Sequence, residues 1–394
     1  MDHHRNKMTE IHREKKLLRM IARQTLESND AEWLLENLQK DWDWTTLAWK
    51  AFDEGIGALL YYHCRNLKLL NRIPDDTRIF LARIYTETLL INKNLLKQLD
   101  ELEKKLSDAG IKVIIFKGAA LLNTVYRDVA LRPMEDMDLV VHPEQIEELK
   151  NVLCIMGFIQ NRIYPESFKK GILCIDVHYD LLSSHRIQSR QQILDVKMSD
   201  VWEAAIPFEG STSLCRLSVR DHLIALSYHL LKHRYERLIG FVDIAESLKL
   251  FQKISDRQAL ITYSKKIQAD RILLYALLLT AKLISIDIPE ELLAGLGKEN
   301  LSTVEKYLLR VKVMRFRIGV LMDVLWMFQI RGINKKVRFA MENFFPRRKI
   351  MAQIFPETSH PRALLKRTYG ISAQILSDLF ILMRIALKER IPNI

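Results

Sequence analysis

Three aspartates stand where carboxylates could hold a metal ion. Asp136 and Asp138 lie two residues apart at the start of a β-branched run, and alternation along a strand places both side chains on one face. Two carboxylates on one face repel each other unless a cation lies between them. Oxygen ligands of this kind suit Mg²⁺, which usually keeps waters and adds substrate phosphates. The spacing therefore predicts a magnesium site.

The third aspartate, Asp176, lies in a later apolar run between Ile175 and Val177. A charge in such a run costs free energy unless it is paired or exposed at a site. If the two runs form neighbouring strands, three carboxylates can hold two metal ions. That arrangement activates a hydroxyl and stabilises the leaving phosphate of an in-line transfer.

Positive charge stands close to these acids. Lys117 and Gly118 follow a short apolar run and precede a helical one, and such a strand-to-helix turn suits a phosphate. Arg132 would either contact phosphate as well or pair structurally with Glu135 or Asp136.

Three histidines accompany the acidic residues. His178 is on the strand face of Asp176, where a contact with the site and a structural hydrogen bond are both open. His229 and His233 are four residues apart on one helical face. Because no glutamate follows His229, helix packing or a substrate cleft is favoured over a zinc site.

The elements that position these residues alternate between strand and helix. The sequence predicts a buried sheet unit with strands over residues 111–116, 138–141, 158–163 and 172–179 and helices over 119–126 and 143–156. Helices are predicted on both sides of it, over residues 78–106, ended by Gly110, and over 219–235, 238–251 and 257–284. We therefore expect an α+β, predominantly helical chain with a small mixed sheet.

The same residues carry a family resemblance. The turn at Lys117-Gly118, the run Arg132-Pro-Met-Glu-Asp-Met-Asp-Leu-Val and the later Ile-Asp-Val-His are similar to the uncharacterised nucleotidyltransferase family, within the DNA polymerase beta-like superfamily. The resemblance extends to Leu217-Ser-Val-Arg-Asp-His-Leu and Asp243, and covers most of the chain from about residue 30. It implies a polymerase-beta-like palm over 109–185. Periodicity and charge predict the flanking regions, namely a helical N-terminal region over 1–108, a helical substrate-cleft domain over 186–300 and a basic helical region over 301–394.

The resemblance also implies roles. Asp136 and Asp138 match the superfamily's Asp-x-Asp pair and Asp176 its third carboxylate, so these three would be catalytic and metal-binding. Gly118 matches the signature glycine, with Lys117 and Arg132 as further contacts to the triphosphate. Ala119 stands where the signature has Ser or Gly, so one hydroxyl contact is absent. The implied enzyme uses NTP and Mg²⁺ to transfer a nucleoside monophosphate to an acceptor hydroxyl, with release of pyrophosphate.

The excess positive charge is confined to the last quarter of the chain. The whole chain has 60 Lys+Arg against 48 Asp+Glu, a net charge of +12, and residues 301–394 account for all of that excess. Such a region favours an anionic partner, namely nucleic acid, an acidic membrane surface or a polyphosphate; a solvated surface without a partner is the alternative. RNA, a protein, a glycan and a small molecule all remain open as acceptors.

The sequence argues against a zinc-binding, disulfide-linked, secreted or membrane-spanning protein, and it leaves two alternative functions open. Cys64, Cys154, Cys174 and Cys215 lack the spacing of a zinc site or a disulfide framework. The polar N-terminus has no signal-peptide core and the longest apolar stretch near the C-terminus, residues 318–330, is too short to span a bilayer, so we expect a cytoplasmic protein. Two rival functions are a catalytically weak nucleotide-binding or interaction protein with the palm as a scaffold, and a basic RNA-surface or membrane-surface adaptor.

Overall fold

The structure is a computed structural model that describes residues 13–38, 42–122, 124–182, 188–254, 256–314, 319–356 and 358–388. Residues 1–12, where we expect no signal peptide, and residue 318 of the apolar stretch lie outside this part. Among the described residues, no helix is long and apolar enough to cross a membrane.

The chain begins with helices that pack on one another. Residues 13–21 are helical, and four helices follow: α1 Ser28–Asn37, α2 Trp44–Asp53, α3 Gly57–Asn66 and α4 Asp75–Ala109. Asp43 caps α2, because its carboxylate accepts a hydrogen bond of 2.9 Å from the Thr46 N–H. Gly110 ends α4 in the left-handed conformation at φ 68°, as its place in the sequence predicts.

A mixed sheet follows α4. Its seven strands within the described residues are β1 Val113–Phe116, β2 Met137–Val141, β3 Ile159–Gln160, β4 Ser167–Lys170, β5 Leu173–His178, β6 Ile206–Pro207 and β7 Leu214–Arg216. The strand order is β3-β4-β5-β2-β1-β7-β6, with β2 antiparallel to β1 and parallel to β5. The sequence indicated four of these strands; β4, β6 and β7 are too short to show a clear alternation.

The remaining helices cover the sheet and form the second half of the chain. They are α5 Gly118–Leu122, α6 Ile146–Ile155, α7 Met198–Glu203, α8 Val219–Lys232, α9 Leu238–Ile254, α10 Arg257–Lys266, α11 Asp270–Thr280, α12 Glu290–Gly295, α13 Thr303–Val313, α14 Val324–Gln329, α15 Ile333–Phe344, α16 Arg348–Ile354 and α17 His360–Lys388. The single helix expected over 257–284 is interrupted at Gln268, which has φ 58°. The expectation of a predominantly helical α+β chain is confirmed.

Each face of the sheet packs against a different set of helices. Leu139 of β2 and Ile175 of β5 join an apolar cluster with Leu99 and Leu106 of α4. The opposite face, through Val140, packs in a second cluster that includes residues of α7 and α8. Because side chains alternate along a strand, Asp138 and Asp176 share the face of Val140 and are directed toward the α8 side.

The basic C-terminal helices pack back on the rest of the chain. The Gln353 side chain of α16 donates a hydrogen bond of 2.9 Å to the Ile163 carbonyl, next to the sheet. The Glu342 carboxylate of α15 accepts one of 2.8 Å from the Ser189 N–H. The ring of Trp326 lies 5.5 Å from that of Tyr228 on α8. These contacts place Gln353, Glu342 and Trp326 of this region beside the sheet, the segment at Ser189 and α8.

Candidate active site

Two aspartates meet across a pair of parallel strands. Asp138 of β2 and Asp176 of β5 are directly opposite each other in the register, on the same face of the sheet. His178, two residues after Asp176, is on that face too. Potential ligand atoms of these three side chains all lie within 4.8 Å of one another. The neighbouring strands required for an acidic cluster are thus present.

Asp138 is the most buried of the three acids, with an exposed fraction of 4%. Its Oδ1 accepts hydrogen bonds from Lys117 Nζ at 2.6 Å and from His178 Nε2 at 2.9 Å. Burial by itself would raise the pKa of Asp138, but the Lys117 ammonium and the His178 hydrogen bond together hold that pKa well below its usual range. The carboxylate is therefore ionised and oriented in the folded protein.

Asp136 precedes β2 and is half-buried. Burial and the negative charges of Asp138 and Asp176 together raise the pKa of Asp136 to about 6, although Lys117 opposes the shift. A bound cation would relieve this repulsion and favour the ionised form of Asp136.

The group of potential metal ligands that the structure brings together is Asp138, Asp176 and His178, while Asp136 lines the adjoining cavity. Mg²⁺ prefers oxygen ligands and binds imidazole poorly. His178 already donates to Asp138, which is the way an outer-shell histidine orients a ligating carboxylate. We therefore count His178 as a positioning residue and assign no ligand role to it.

The turn between β1 and α5 brings Lys117 to the acids. Lys117 adopts a left-handed backbone conformation at φ 55°, which costs a non-glycine residue about 1–3 kcal/mol and persists only where surrounding contacts impose it. One such contact is His222 of α8, which is hydrogen bonded to the Lys117 main chain. The Lys117 side chain is only 13% exposed, with its Nζ 4.9 Å from the centre of the Phe116 ring.

The position of the Arg132 side chain explains why Lys117 is followed by a glycine, Gly118. A Cβ built on Gly118 would overlap with the Arg132 guanidinium and with the Met134 sulfur. That guanidinium is immobilised, since its Nη2 donates to Asp243 Oδ2 at 2.9 Å and its Nε to Asp243 Oδ1 at 3.3 Å. Only a glycine allows the main chain to pass this close.

Replacing Gly118 by alanine is expected to destabilise the protein by about 1–3 kcal/mol, because Arg132 cannot move aside without losing Asp243. The measurement is the midpoint of urea unfolding. Gly370→Ala in α17 is the matched control, since nothing lies within 4 Å of a Cβ there and alanine favours a helix. Equal midpoints for the two variants would contradict the prediction.

The structural partner of Arg132 is neither of the two acids that the sequence suggested for it. Arg132 pairs with neither Glu135 nor Asp136: Glu135 binds Arg237 at 2.8 Å, and Arg132 makes the two bonds to Asp243 described above. Burial alone would lower the pKa of Arg132, but the Asp243 carboxylate raises it above its ordinary value. Tyr126 also donates to Asp243 Oδ1, at 2.7 Å. Arg132 is therefore committed to a buried network of which one side borders the site.

Sequence reasoning included Asp243 in the family resemblance without a role, and it did not single out Tyr126. Asp243 is 2% exposed and lies in α9 in the run Phe241-Val-Asp-Ile-Ala. A charged residue inside such an apolar helical run was the available signal, because it has to be paired when buried. Nothing comparable distinguishes Tyr126 in the sequence.

One small cavity joins most of the predicted residues. It has a volume of about 50 Å³, and its lining includes Lys117, Gly118, Arg132, Asp136 and Asp138. Asp176 lies beside this cavity, opposite Asp138 on the neighbouring strand. The space suits an ion and a few waters rather than a nucleotide, so the sugar and base of a nucleotide would lie outside it.

His229 and His233 extend the site along α8. His229 lines the same cavity, and its ring centre is 4.4 Å from that of His233. Burial lowers the pKa of His229 well below its ordinary value, and Lys117 lowers it further. Among the described residues, neither histidine belongs to a group of three potential metal ligands.

Acidification is expected to destabilise the site through His222, which is 6% exposed. Burial lowers the pKa of His222 to about 3, against 6.5 in the unfolded chain. Between these pH values the unfolded chain binds more protons than the folded protein. The contribution of neutral His222 to the free energy of unfolding is therefore complete above pH 6.5 and declines as the pH falls. At pH 5 the free energy of unfolding should be lower by about 2 kcal/mol because of His222.

Urea unfolding at several pH values measures this loss, and His222→Gln should reduce the slope of stability against pH between 5 and 6.5. An unchanged slope in the variant would show that His222 is not the group responsible.

Comparison with known proteins adds one finding. The family model described as an uncharacterised nucleotidyltransferase matches residues 40–285, which is more than half of the chain and contains the whole acidic cluster. Neither the curated proteins nor the solved structures gave a match.

Proposed function

Because the chain belongs to the uncharacterised nucleotidyltransferase family, we propose that it transfers a nucleoside monophosphate from an NTP to an acceptor hydroxyl. The observation that carries the proposal is the placement of Asp138 directly opposite Asp176, beside the Lys117-Gly118 turn. A carboxylate pair with an adjacent lysine at a strand-to-helix turn is suited to a metal-bound polyphosphate.

Asp136, Asp138 and Asp176 would hold the metal ions. Bound Mg²⁺ would supply charge stabilisation for the transferred phosphoryl group and lower the pKa of the acceptor hydroxyl. The His178 Nε2 donor keeps the Asp138 carboxylate oriented, and the low pKa of Asp138 keeps it ionised at neutral pH.

Lys117 would change partners during the cycle. Its ammonium now neutralises Asp138 at 2.6 Å. With metal ions held by the aspartates, the Lys117 ammonium would be free to contact the triphosphate, next to the main-chain N–H groups of the Gly118 turn. Arg132 is paired with Asp243 and packs against the Gly118 turn. We therefore propose that it positions this turn, and that direct contact with phosphate is a lesser part of its role.

The proposed transfer needs no reactant other than the NTP and the acceptor. The acceptor oxygen forms a bond to the α-phosphorus, the bond from that phosphorus to the bridging oxygen breaks, and pyrophosphate leaves with the electron pair. The acceptor hydroxyl would transfer its proton to the carboxylate of Asp176, which is half-buried whereas its partner Asp138 is buried.

Thermal unfolding with each of the four NTPs, with and without Mg²⁺, tests the proposal. We expect Mg²⁺-dependent stabilisation of the wild type by at least one NTP, since a ligand that binds only the folded state raises its stability. Asp176→Asn should lose this response. Asp43→Asn is the matched control, because Asp43 only caps a helix and asparagine caps equally well. No response of the wild type to any NTP would refute the proposal.

A further inference from the structure

A second cavity lies on the other side of the His229–His233 pair. It has a volume of about 200 Å³, and His233 lines it together with residues of α8, α15 and α17 and of the segments around residues 190 and 347. His229 lines the smaller cavity at the acids, and the two rings are 4.4 Å apart. The two cavities are thus separated by one turn of α8, a rise of about 6 Å.

Positive charge dominates this second cavity. Among the described residues that line it, four are cationic and one is acidic: Arg190, Lys232, Arg347 and Arg367, against Glu342. The cations come from four separate parts of the chain, so the fold brings them together. Cations assembled in this way repel one another unless an anion lies between them.

The one carboxylate is already shared. Glu342 Oε1 is 3.4 Å from Arg347 Nη2, and Glu342 Oε2 accepts the Ser189 N–H at 2.8 Å. It cannot neutralise all four cations. Among the described residues that line the cavity, cationic side chains therefore outnumber acidic ones by four to one.

The arginines still have hydrogen-bonding capacity. Arg367 Nη2 donates to the Asn343 carbonyl at 2.7 Å, but the buried Nε atoms of Arg367 and Arg190 have no partner among the described residues. Burial and the nearby Arg234 lower the pKa of Arg367, although the Asp323 carboxylate opposes the shift. Guanidinium groups with unused N–H donors bind phosphate with good geometry, because the fork of N–H groups matches the phosphate oxygens.

We propose that Arg190, Lys232, Arg347 and Arg367 form a binding site for a phosphate group of the substrate, one helical turn from the acidic cluster. The volume accommodates a phosphate or a diphosphate but not a whole nucleotide. The phosphate belongs either to a phosphorylated acceptor or to the distal end of the NTP. This assignment to a substrate rests on the proposed function, whereas anion binding itself does not.

Titration calorimetry with inorganic phosphate and with pyrophosphate, without metal, tests the site. We expect binding by the wild type and by Asp176→Asn, and at least tenfold weaker binding by Arg347→Gln and by Arg190→Gln. Arg348→Gln is the matched control, because Arg348 is the exposed neighbour of Arg347 and does not line the cavity. Arg347 is 47% exposed along its side chain, so its replacement should leave the fold intact.

A competition experiment identifies the source of the phosphate. If pyrophosphate competes with Mg²⁺-NTP, and Arg347→Gln weakens NTP binding, the site holds the end of the triphosphate. If both ligands bind together, the site holds a phosphorylated acceptor. Absence of phosphate and pyrophosphate binding, or equal binding by Arg347→Gln and Arg348→Gln, would overturn the proposal even if Mg²⁺-NTP binding is observed.

Discussion

Replacing Asp138 by asparagine is expected to reduce nucleotidyl transfer at least about 10³-fold, equivalent to about 4 kcal/mol of transition-state stabilisation. Asparagine has nearly the same shape but no charge, so it can still accept the His178 hydrogen bond while it loses its affinity for a cation. Asp138 is the acid that the structure keeps most firmly ionised, and for this reason its replacement should have the largest effect on activity.

The assay measures transfer of label from an α-labelled NTP to components of a mixed cell extract, together with pyrophosphate release. Asp43→Asn is again the control for the same chemical change outside the site. Circular dichroism of Asp138→Asn establishes that it is folded. A folded Asp138→Asn protein that retains more than a tenth of the wild-type rate would show that Asp138 does not hold the catalytic metal.

The largest effect on stability is expected at Asp243. Asp243→Ala leaves the Arg132 guanidinium buried without its carboxylate, and removal of one partner of such a pair typically costs about 3–5 kcal/mol. The Arg132 and Asp243 side chains are 15% and 3% exposed, so solvent can do little to compensate. Urea or thermal unfolding of the purified variant measures the loss.

Two further variants separate charge from hydrogen bonding. Tyr126→Phe removes one hydrogen bond to Asp243 and should cost only about 1 kcal/mol. Arg132→Met combined with Asp243→Ala removes both charges and should recover much of the stability lost in Asp243→Ala, since an apolar pair often replaces a buried ion pair without loss. A double variant as unstable as the sum of its single variants would exclude a direct charge coupling.

The two experiments concern different parts of one arrangement. Asp138 carries charge to the reacting groups, whereas Asp243 stabilises Arg132, which in turn requires a glycine at position 118. A variant that loses activity without losing stability therefore points to the acids, and one that loses both points to the Arg132–Asp243 pair.

Much of the site's local geometry was available in the sequence. The spacing of the acids and the position of Asp176 within an apolar run predict that Asp138 and Asp176 lie on a strand face, because the side-chain period of a strand is two. Asp136, expected on the same strand, instead lies one residue before β2. The Lys117-Gly118 turn was likewise visible, since a β-branched run changes there to a helical one. Helices and the α+β class followed from periodicity and from the small number of Gly and Pro residues.

The tertiary structure alone decided which charges meet. Arg132 pairs with Asp243, 111 residues away, rather than with an acid beside it in the sequence, and Lys117 neutralises Asp138. The four cations of the second cavity likewise come from distant parts of the chain. Periodicity determines the face on which a side chain lies, because it depends on local backbone geometry. The partner that a charge finds depends on which distant elements the core packs together, and no local pattern in the sequence records that choice.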